Sequence, residues 1–256
     1  MIHQPLAMSK PDRPPDDVLR ARAERMARKQ VRKFRTNADG MFSRSCPICE
    51  FEGLFVAFGH PPRRDVHCPE CHAPARHRLM WLYLDRMQVL SAGMRVLHFA
   101  PEFPRDNRAD GPGPRYETAD HFSKRRVDHG SDIQASGPEP ESFDVILCSH
   151  VREHVEDRKT LRELCRILKP GGVALRTTPV IEGWAESYEN PDVVAERDRL
   201  LRFGQGDHLR YFGRDIRARI LDAGFDLEEF VAQGPDVNRH GLLRGETLFI
   251  ARRPAA

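Results

Sequence analysis

The chain has 256 residues, of which 31% are charged and 39% hydrophobic, with a formal net charge of +3. That length allows one substantial core plus a small appendage. No apolar run reaches membrane-spanning length, which excludes a helical membrane protein, and the near-balanced charge sets no strong preference for an acidic or basic partner.

The first twenty residues, MIHQPLAMSKPDRPPDDVLR, have no apolar stretch following a basic one, so no secretory signal is read and a cytoplasmic location is expected. Residues 1–19 are rich in Pro and Asp without periodicity and read as a disordered tail. From Arg20 to Arg35 (RARAERMARKQVRKFR) the chain is strongly basic, and Ala23, Met26, Ala27, Val31 and Phe34 recur at helical spacing. This predicts a basic helix within an extension spanning 1–40. A solvated helix docked on the domain is preferred to a nucleic-acid contact, because charge runs are usually solvated and only Phe34 offers a stacking ring.

Residues 41–75 contain too few large apolar residues for a core of their own, yet hold Cys46-Pro-Ile-Cys49, an 18-residue gap, and Cys68-Pro-Glu-Cys71. Two CxxC knuckles at this spacing place four thiolates tetrahedrally around one structural Zn2+ ion, with no position left for a catalytic water. The segment is therefore read as a small N-terminal zinc ribbon. His67, His72 and His77 flank it and are read as surface residues; Cys148 and Cys165 are read as small core residues. In residues 76–92, Leu79, Leu82, Tyr83, Met87 and Leu90 share one helical face before Gly93, which predicts a linking helix.

Over 93–253 strand and helix signals alternate, the sign of an α/β fold with a parallel sheet. Strands are expected at 94–100, 115–120, 143–150, 173–179, 225–232 and 246–252, with a weaker candidate at 127–133. Helices are expected at 159–168, ended by the turn Lys169-Pro170-Gly171-Gly172, and at 213–223, ended by Gly224. In such a sheet ligands bind beyond the carboxyl ends of the strands, which singles out Ala100-Pro101-Glu102, Asp120, Asp132 and Ser149-His150. Asp120 ends the second strand about 20 positions after the first loop, where a carboxylate accepts hydrogen bonds from ribose hydroxyls; a simple turn residue is the competing reading.

The string FDVILCSHVREHVEDRKTLRELCRILKPGGVALRTTP (143–179) closely resembles the central region of class I S-adenosylmethionine-dependent methyltransferases, and the likeness covers about the last 160 residues. With the cysteine pairs, the RHR-led helix, the first loop and the later FGQGDHLRYFG, most of the chain is similar to a bacterial group of ribbon-containing methyltransferases of the type 11-like kind. The resemblance implies a Rossmann-like sheet of seven strands, the last one antiparallel. It also implies S-adenosyl-L-methionine as cofactor, with the methionine part at the first loop (His98, Ala100, Pro101, Glu102), the ribose at Asp120, and the adenine at Asp132 and Ile133; Ser149 lies at the same edge. This chain departs from the family in having no glycine in the first loop. Ala100 is small enough for close approach and Glu102 can grip an ammonium, but Pro101 removes a backbone donor and His98 stands where an acid is usual.

Methyl transfer from a sulfonium is an in-line displacement that alignment alone accelerates, and a base helps when the acceptor must lose a proton. His150 and His208 are the expected catalytic residues. Glu153 is a further candidate, and His154 is assigned to packing. Gly204–Arg210 reads as a polar binding loop, with a plain solvent loop as the alternative, and Trp184, Tyr188 and Glu189 are expected at the same mouth. The expected activity is methylation of an unidentified acceptor, with a small molecule or saccharide slightly favoured. The competing readings are a nucleic-acid- or protein-directed enzyme and a non-catalytic adaptor whose cofactor loop has degenerated.

Overall fold

The computed structural model describes residues 40–59, 62–101, 113–121, 127–130 and 132–255. The expected tail at 1–19, the basic helix at 20–35 and Glu102 lie outside the described residues. The chain opens with two antiparallel hairpins, β1 (Ser43–Ser45) with β2 (Glu52–Leu54) and β3 (Val56–Phe58) with β4 (Arg63–His67). Helix α1 (Ala75–Arg86) follows, then β5 (Arg95–Phe99), β6 (Arg115–Ala119), β7 (Phe143–Ser149), α2 (Asp157–Ile167) and β8 (Leu168–Thr177). The remainder is β9 (Tyr188–Glu189), α3 (Glu196–Phe203), β10 (Arg210–Tyr211), α4 (Ile216–Asp222), β11 (Asp226–Val231), α5 (Asp236–His240) and β12 (Thr247–Arg252).

Among the described residues six strands form one mixed sheet in the order β11-β12-β8-β7-β5-β6. Strands β5 to β8 run parallel, and β12 is antiparallel to both its neighbours, as expected for the last strand. The expected seventh strand is not seen among the described residues: in the 127–133 region they contribute a single parallel bridge, His129 to Ala119. The Asp128 carboxylate takes the amide and hydroxyl of Thr118, and Asp132 accepts the Gln134 amide at 2.8 Å, closing a turn where the strand would run.

Both faces of the sheet are covered. On one, Leu97, Phe99, Ile146 and Ala174 pack with Leu161, Leu164 and Ile167 of α2 and Ile216 and Ile220 of α4. On the other, Val96, Val145, Leu147 and Leu175 pack with Leu79, Met80 and Tyr83 of α1. The alternation along each strand is what a pleat requires when two helical layers sandwich it. Helix α2 starts two residues earlier than the sequence suggests because the Glu156 side chain accepts from the Arg158 and Lys159 amides. Lys169-Pro170-Gly171-Gly172 is not a turn between helix and strand but a bulge inside β8. Leu168 pairs with Phe143, and pairing resumes at Val173 with Val145. A Cβ on Gly172 would meet the Lys169 carbonyl oxygen at 2.9 Å, so a glycine is needed there.

The hairpin module is bound to the sheet domain through Arg78, which is fully buried on α1. Its guanidinium donates to the Val66 and Ala73 carbonyls on the module side and to the His240 and Gly241 carbonyls at the end of α5, and it lies 4.7 Å from the Phe55 ring. His240 adds a 2.7 Å contact from Nδ1 to the Ser45 carbonyl. Gly241 has φ +60, and a Cβ there would stand 2.4 Å from the Asp65 carbonyl oxygen, so the two parts approach as closely as backbone allows.

Candidate functional site

The four cysteines of the module converge. Cys46 Sγ lies 3.6 Å from Cys71 Sγ, and Cys49 Sγ 3.7 Å from Cys68 Sγ, with all four sulfurs within 4.8 Å of one another. Thiolates held 2.3 Å from one tetrahedral ion stand about 3.8 Å apart, so the donor set fits zinc closely. The knuckles repeat one design: the Glu50 amide donates to the Cys46 carbonyl and the His72 amide to the Cys68 carbonyl, and Glu50 and His72 both have positive φ. Burial raises the Cys46 thiol to about 11, and it raises Cys71 as well. Against burial, hydrogen bonds from the Phe51 amide and the neighbouring thiols lower Cys49 instead, and a divalent metal would favour the thiolate form of the buried pair.

At the sheet, β5 lies between β6 and β7, and the chain leaves β5 toward β6 but later enters β7 on the opposite side. The carboxyl ends of β5 and β7 therefore flank a switch point, where α/β sheets bind ligands. Ala100, Pro101, Asp120, Ser149 and His150 all sit on this edge. Ala100 has φ +48 and donates its amide to the Ala119 carbonyl at 2.8 Å; His150 has φ +54 and donates to Thr177 at 2.9 Å. Left-handed backbone at the first loop is what a glycine usually supplies, and here alanine accepts it at a cost. Ala100→Gly is expected to stabilise the fold by about 1 kcal/mol. Urea denaturation checks this, and a loss of stability would assign the methyl group a packing role.

The remaining sequence candidates at this edge are placed as follows. His98 is buried with Nδ1 against the Tyr116 hydroxyl. The Asp120 amide donates to the His129 carbonyl at 3.1 Å. Asp132 caps its turn, Ile133 is buried in the core, and Ser149 is buried at the end of β7.

A cavity of about 500 Å³ opens beside His150, between the sheet edge and the module. Arg63 of β4, Arg76 of α1, Thr178, Arg244 and Glu246 share its wall. Glu246 Oε2 is buried with no hydrogen-bond partner among the described residues. Burial raises this carboxyl, against the opposing pull of His150, Arg63, Arg76 and Arg78. The sequence reading missed these residues. The only local signal was Gly245-Glu246 opening the last strand, and Arg63 belongs to a segment assigned to metal binding alone.

Glu153 stands behind His150. Its Oε1 lies 3.2 Å from His150 Nδ1, and its Oε2 accepts from the Thr178 hydroxyl at 3.0 Å. Burial pushes the Glu153 carboxyl up, but the His150 imidazole carries it below the usual range. His208 is buried, which lowers its pKa; its Nδ1 is 3.1 Å from the Phe203 carbonyl and it is not on the cavity wall. The two expected catalytic histidines are thus separated by Glu153. Gly204–Arg210 is docked on the 150–155 turn: Leu209 donates to the Glu153 carbonyl at 2.7 Å, and Arg210 donates to the Arg152 and Val155 carbonyls. Glu189 pairs with Arg210 and Arg219, while Trp184 and Tyr188 are exposed and pack edge-on to each other.

Residues 69–229 match a family model described as a methyltransferase domain. No curated protein matches the chain. Among solved structures, an S-adenosylmethionine-dependent methyltransferase from Mesorhizobium loti is 19% identical, with 68% of this chain and 98% of that chain covered and a TM-score of 0.47. A 1,6-didemethyltoxoflavin-N1-methyltransferase from Burkholderia thailandensis is 15% identical over 70% of this chain and 78% of its own, at a TM-score of 0.47. A possible exported protein from Bordetella parapertussis is 16% identical over 70% and 68%, at 0.45.

Proposed function

Because the chain belongs to the methyltransferase domain family over residues 69–229, we propose that it methylates a small molecule or saccharide held in the cavity beside His150. The observation that carries this reading is the cavity itself: its volume suits one small ligand, and it opens at the same sheet edge as the expected cofactor residues. When bound, S-adenosylmethionine supplies an electrophilic methyl group on a sulfonium, open to in-line displacement. Ala100 and Pro101 would hold its methionine part, Asp120 its ribose, and Asp132 and Ile133 its adenine; Glu102 belongs to the same set. An acid at the end of β6 suits ribose hydroxyls, an acid in the turn at 132–135 suits an adenine amino group, and the left-handed Ala100 keeps the first loop's backbone open to approach.

Within the cavity His150 takes the proton of an acceptor hydroxyl or amine, and the Glu153 carboxylate 3.2 Å from its Nδ1 balances the resulting charge. Glu246 offers an unpaired carboxylate oxygen to an acceptor donor, and the arginines offer their guanidiniums to acceptor oxygens. We assign Zn2+ to the four cysteines as a structural ion of the 41–75 module, linked through 76–92 to the catalytic domain at 93–253. A reducing, cytoplasmic compartment suits these thiols. Among the described residues no helix is long and apolar enough to cross a membrane.

Calorimetry with S-adenosylhomocysteine tests the enzyme reading. Binding is expected in the wild type, and Asp120→Ala is expected to weaken it roughly tenfold or more, the loss of charged hydrogen bonds to a ribose. No heat from the folded wild type would leave the chain an adaptor rather than an enzyme.

A further inference from the structure

Glu153 and His154 lie on a short 3-10 turn at 152–154, and His208 comes from the loop after α3. One donor atom from each lies within 4.8 Å of the others. We propose that these three residues bind a divalent transition-metal ion, at a site distinct from the four cysteines and independent of them.

Three observations carry this. The first is the state of the imidazoles. His208 Nδ1 faces the Phe203 carbonyl at 3.1 Å, and a carbonyl only accepts, so Nδ1 carries the hydrogen and Nε2 keeps the lone pair. His154 Nδ1 lies 3.2 Å from the Asp207 carboxylate, which holds that ring in the same sense. A ring nitrogen tied to a carbonyl or carboxylate, with the other left as a donor atom, is how metal-bound histidines are oriented from outside the coordination sphere. The second is the carboxylate. Glu153 is only 2% exposed; Thr178 holds its Oε2, while Oε1 receives no hydrogen bond among the described residues, with His150 Nδ1 at 3.2 Å not aligned to donate. A buried carboxylate oxygen without a hydrogen-bond donor, beside two imidazole nitrogens, is a ready donor for a dication. The third is access: the His154 side chain is 28% exposed, so an ion has a way in that the buried His208 does not offer.

Two imidazoles and one carboxylate select borderline ions such as zinc, iron(II) or cobalt(II) over magnesium or calcium, which prefer all-oxygen sites. Three protein donors leave at least one coordination position open. Donors 2.1 Å from a tetrahedral ion stand about 3.4 Å apart, so modest side-chain rotation closes the observed spacing. The ion would pin the 204–210 loop to the turn that carries His150.

Cobalt(II) distinguishes this site from the cysteine site, since thiolate ligation gives strong near-ultraviolet charge-transfer absorption and nitrogen and oxygen donors give only weak visible bands. Full-length protein expressed in cobalt-supplemented medium and dialysed against cobalt is expected to hold about two ions per chain, one of each spectral type. His154→Gln and His208→Gln are expected to lose the second ion and keep the thiolate bands, which also report that the module remains folded. His154→Gln decides the matter if the buried His208→Gln fails to fold. Wild-type protein binding only the thiolate-type ion would overturn the proposal, as would either folded variant retaining both. Neither result depends on methyltransferase activity.

Discussion

Replacing Cys68 with serine is expected to release one metal ion per chain, abolish the thiolate charge-transfer bands of the cobalt protein, and unfold the 41–75 module. The size of the effect follows from how little else holds that module. Its own core consists of Cys46, Phe55 and Cys68, with a few partly buried neighbours, and its longest strand has five residues. Hairpins of that size are marginal in water, whereas a structural zinc contributes about 10–16 kcal/mol to folding. Three thiolates and a hydroxyl retain only part of this. Limited proteolysis should cut the variant within 41–75 while the wild type resists, and metal analysis should show the loss directly. An unchanged melt and metal content would remove zinc from the module's stability.

The second large effect is expected at Arg78. Arg78→Met removes donors from four carbonyls that converge from both parts of the molecule, at a fully buried position. Methionine recovers much of the packing volume but none of the hydrogen bonds, and stranded buried acceptors make the loss roughly 3–5 kcal/mol. Burial already lowers the Arg78 pKa to about 10, yet at neutral pH the group stays charged, so the change is one of bonding rather than titration. Arg78→Lys keeps the charge without the planar fork and should recover only a part. Denaturant titration reads the loss. The module and the sheet domain should separate into two transitions in the methionine variant where the wild type has one; a single unshifted transition would show that the Arg78 bonds do not hold the parts together.

Much of this architecture could be read from residue order. The α/β alternation, the four-cysteine spacing and the edge carrying Ala100, Asp120 and His150 follow from local patterns: short branched runs, CxxC pairs, and small or acidic residues at strand ends. What escaped has a common cause. Among the described residues 127–133 gives only one bridge to β6, where the Asp128 carboxylate holds Thr118 and Asp132 closes a turn, side-chain bonds that apolar periodicity does not register. The lysine-proline-glycine-glycine bulge read as a helix stop because its pairing depends on Phe143 and Val145, some 25 positions away. Arg210 and Glu189, expected at a substrate mouth, are spent on tying the 204–210 loop down. The cavity wall joins Arg63, Arg76, His150 and Glu246 from four separate stretches, and that meeting is a product of tertiary packing alone.

The Arg78 clamp also imposes an order on how the protein is made. Its carbonyl partners fall into two groups, residues 66 and 73 on one side and residues 240 and 241 on the other, and Gly241 packs against Asp65. A ribosome synthesises the cysteine module first, long before α5 and the turn after it emerge, and early domains generally fold as they appear. The nascent module must therefore wait undocked, with the Val66 and Ala73 carbonyls that Arg78 later shares with residues 240 and 241 still open to water. Only when the stretch around residues 236–247 has left the exit tunnel can the module seat and the cavity beside His150 close. A chain interrupted before that point would carry nearly every expected cofactor residue and still lack the finished wall of the cavity beside His150.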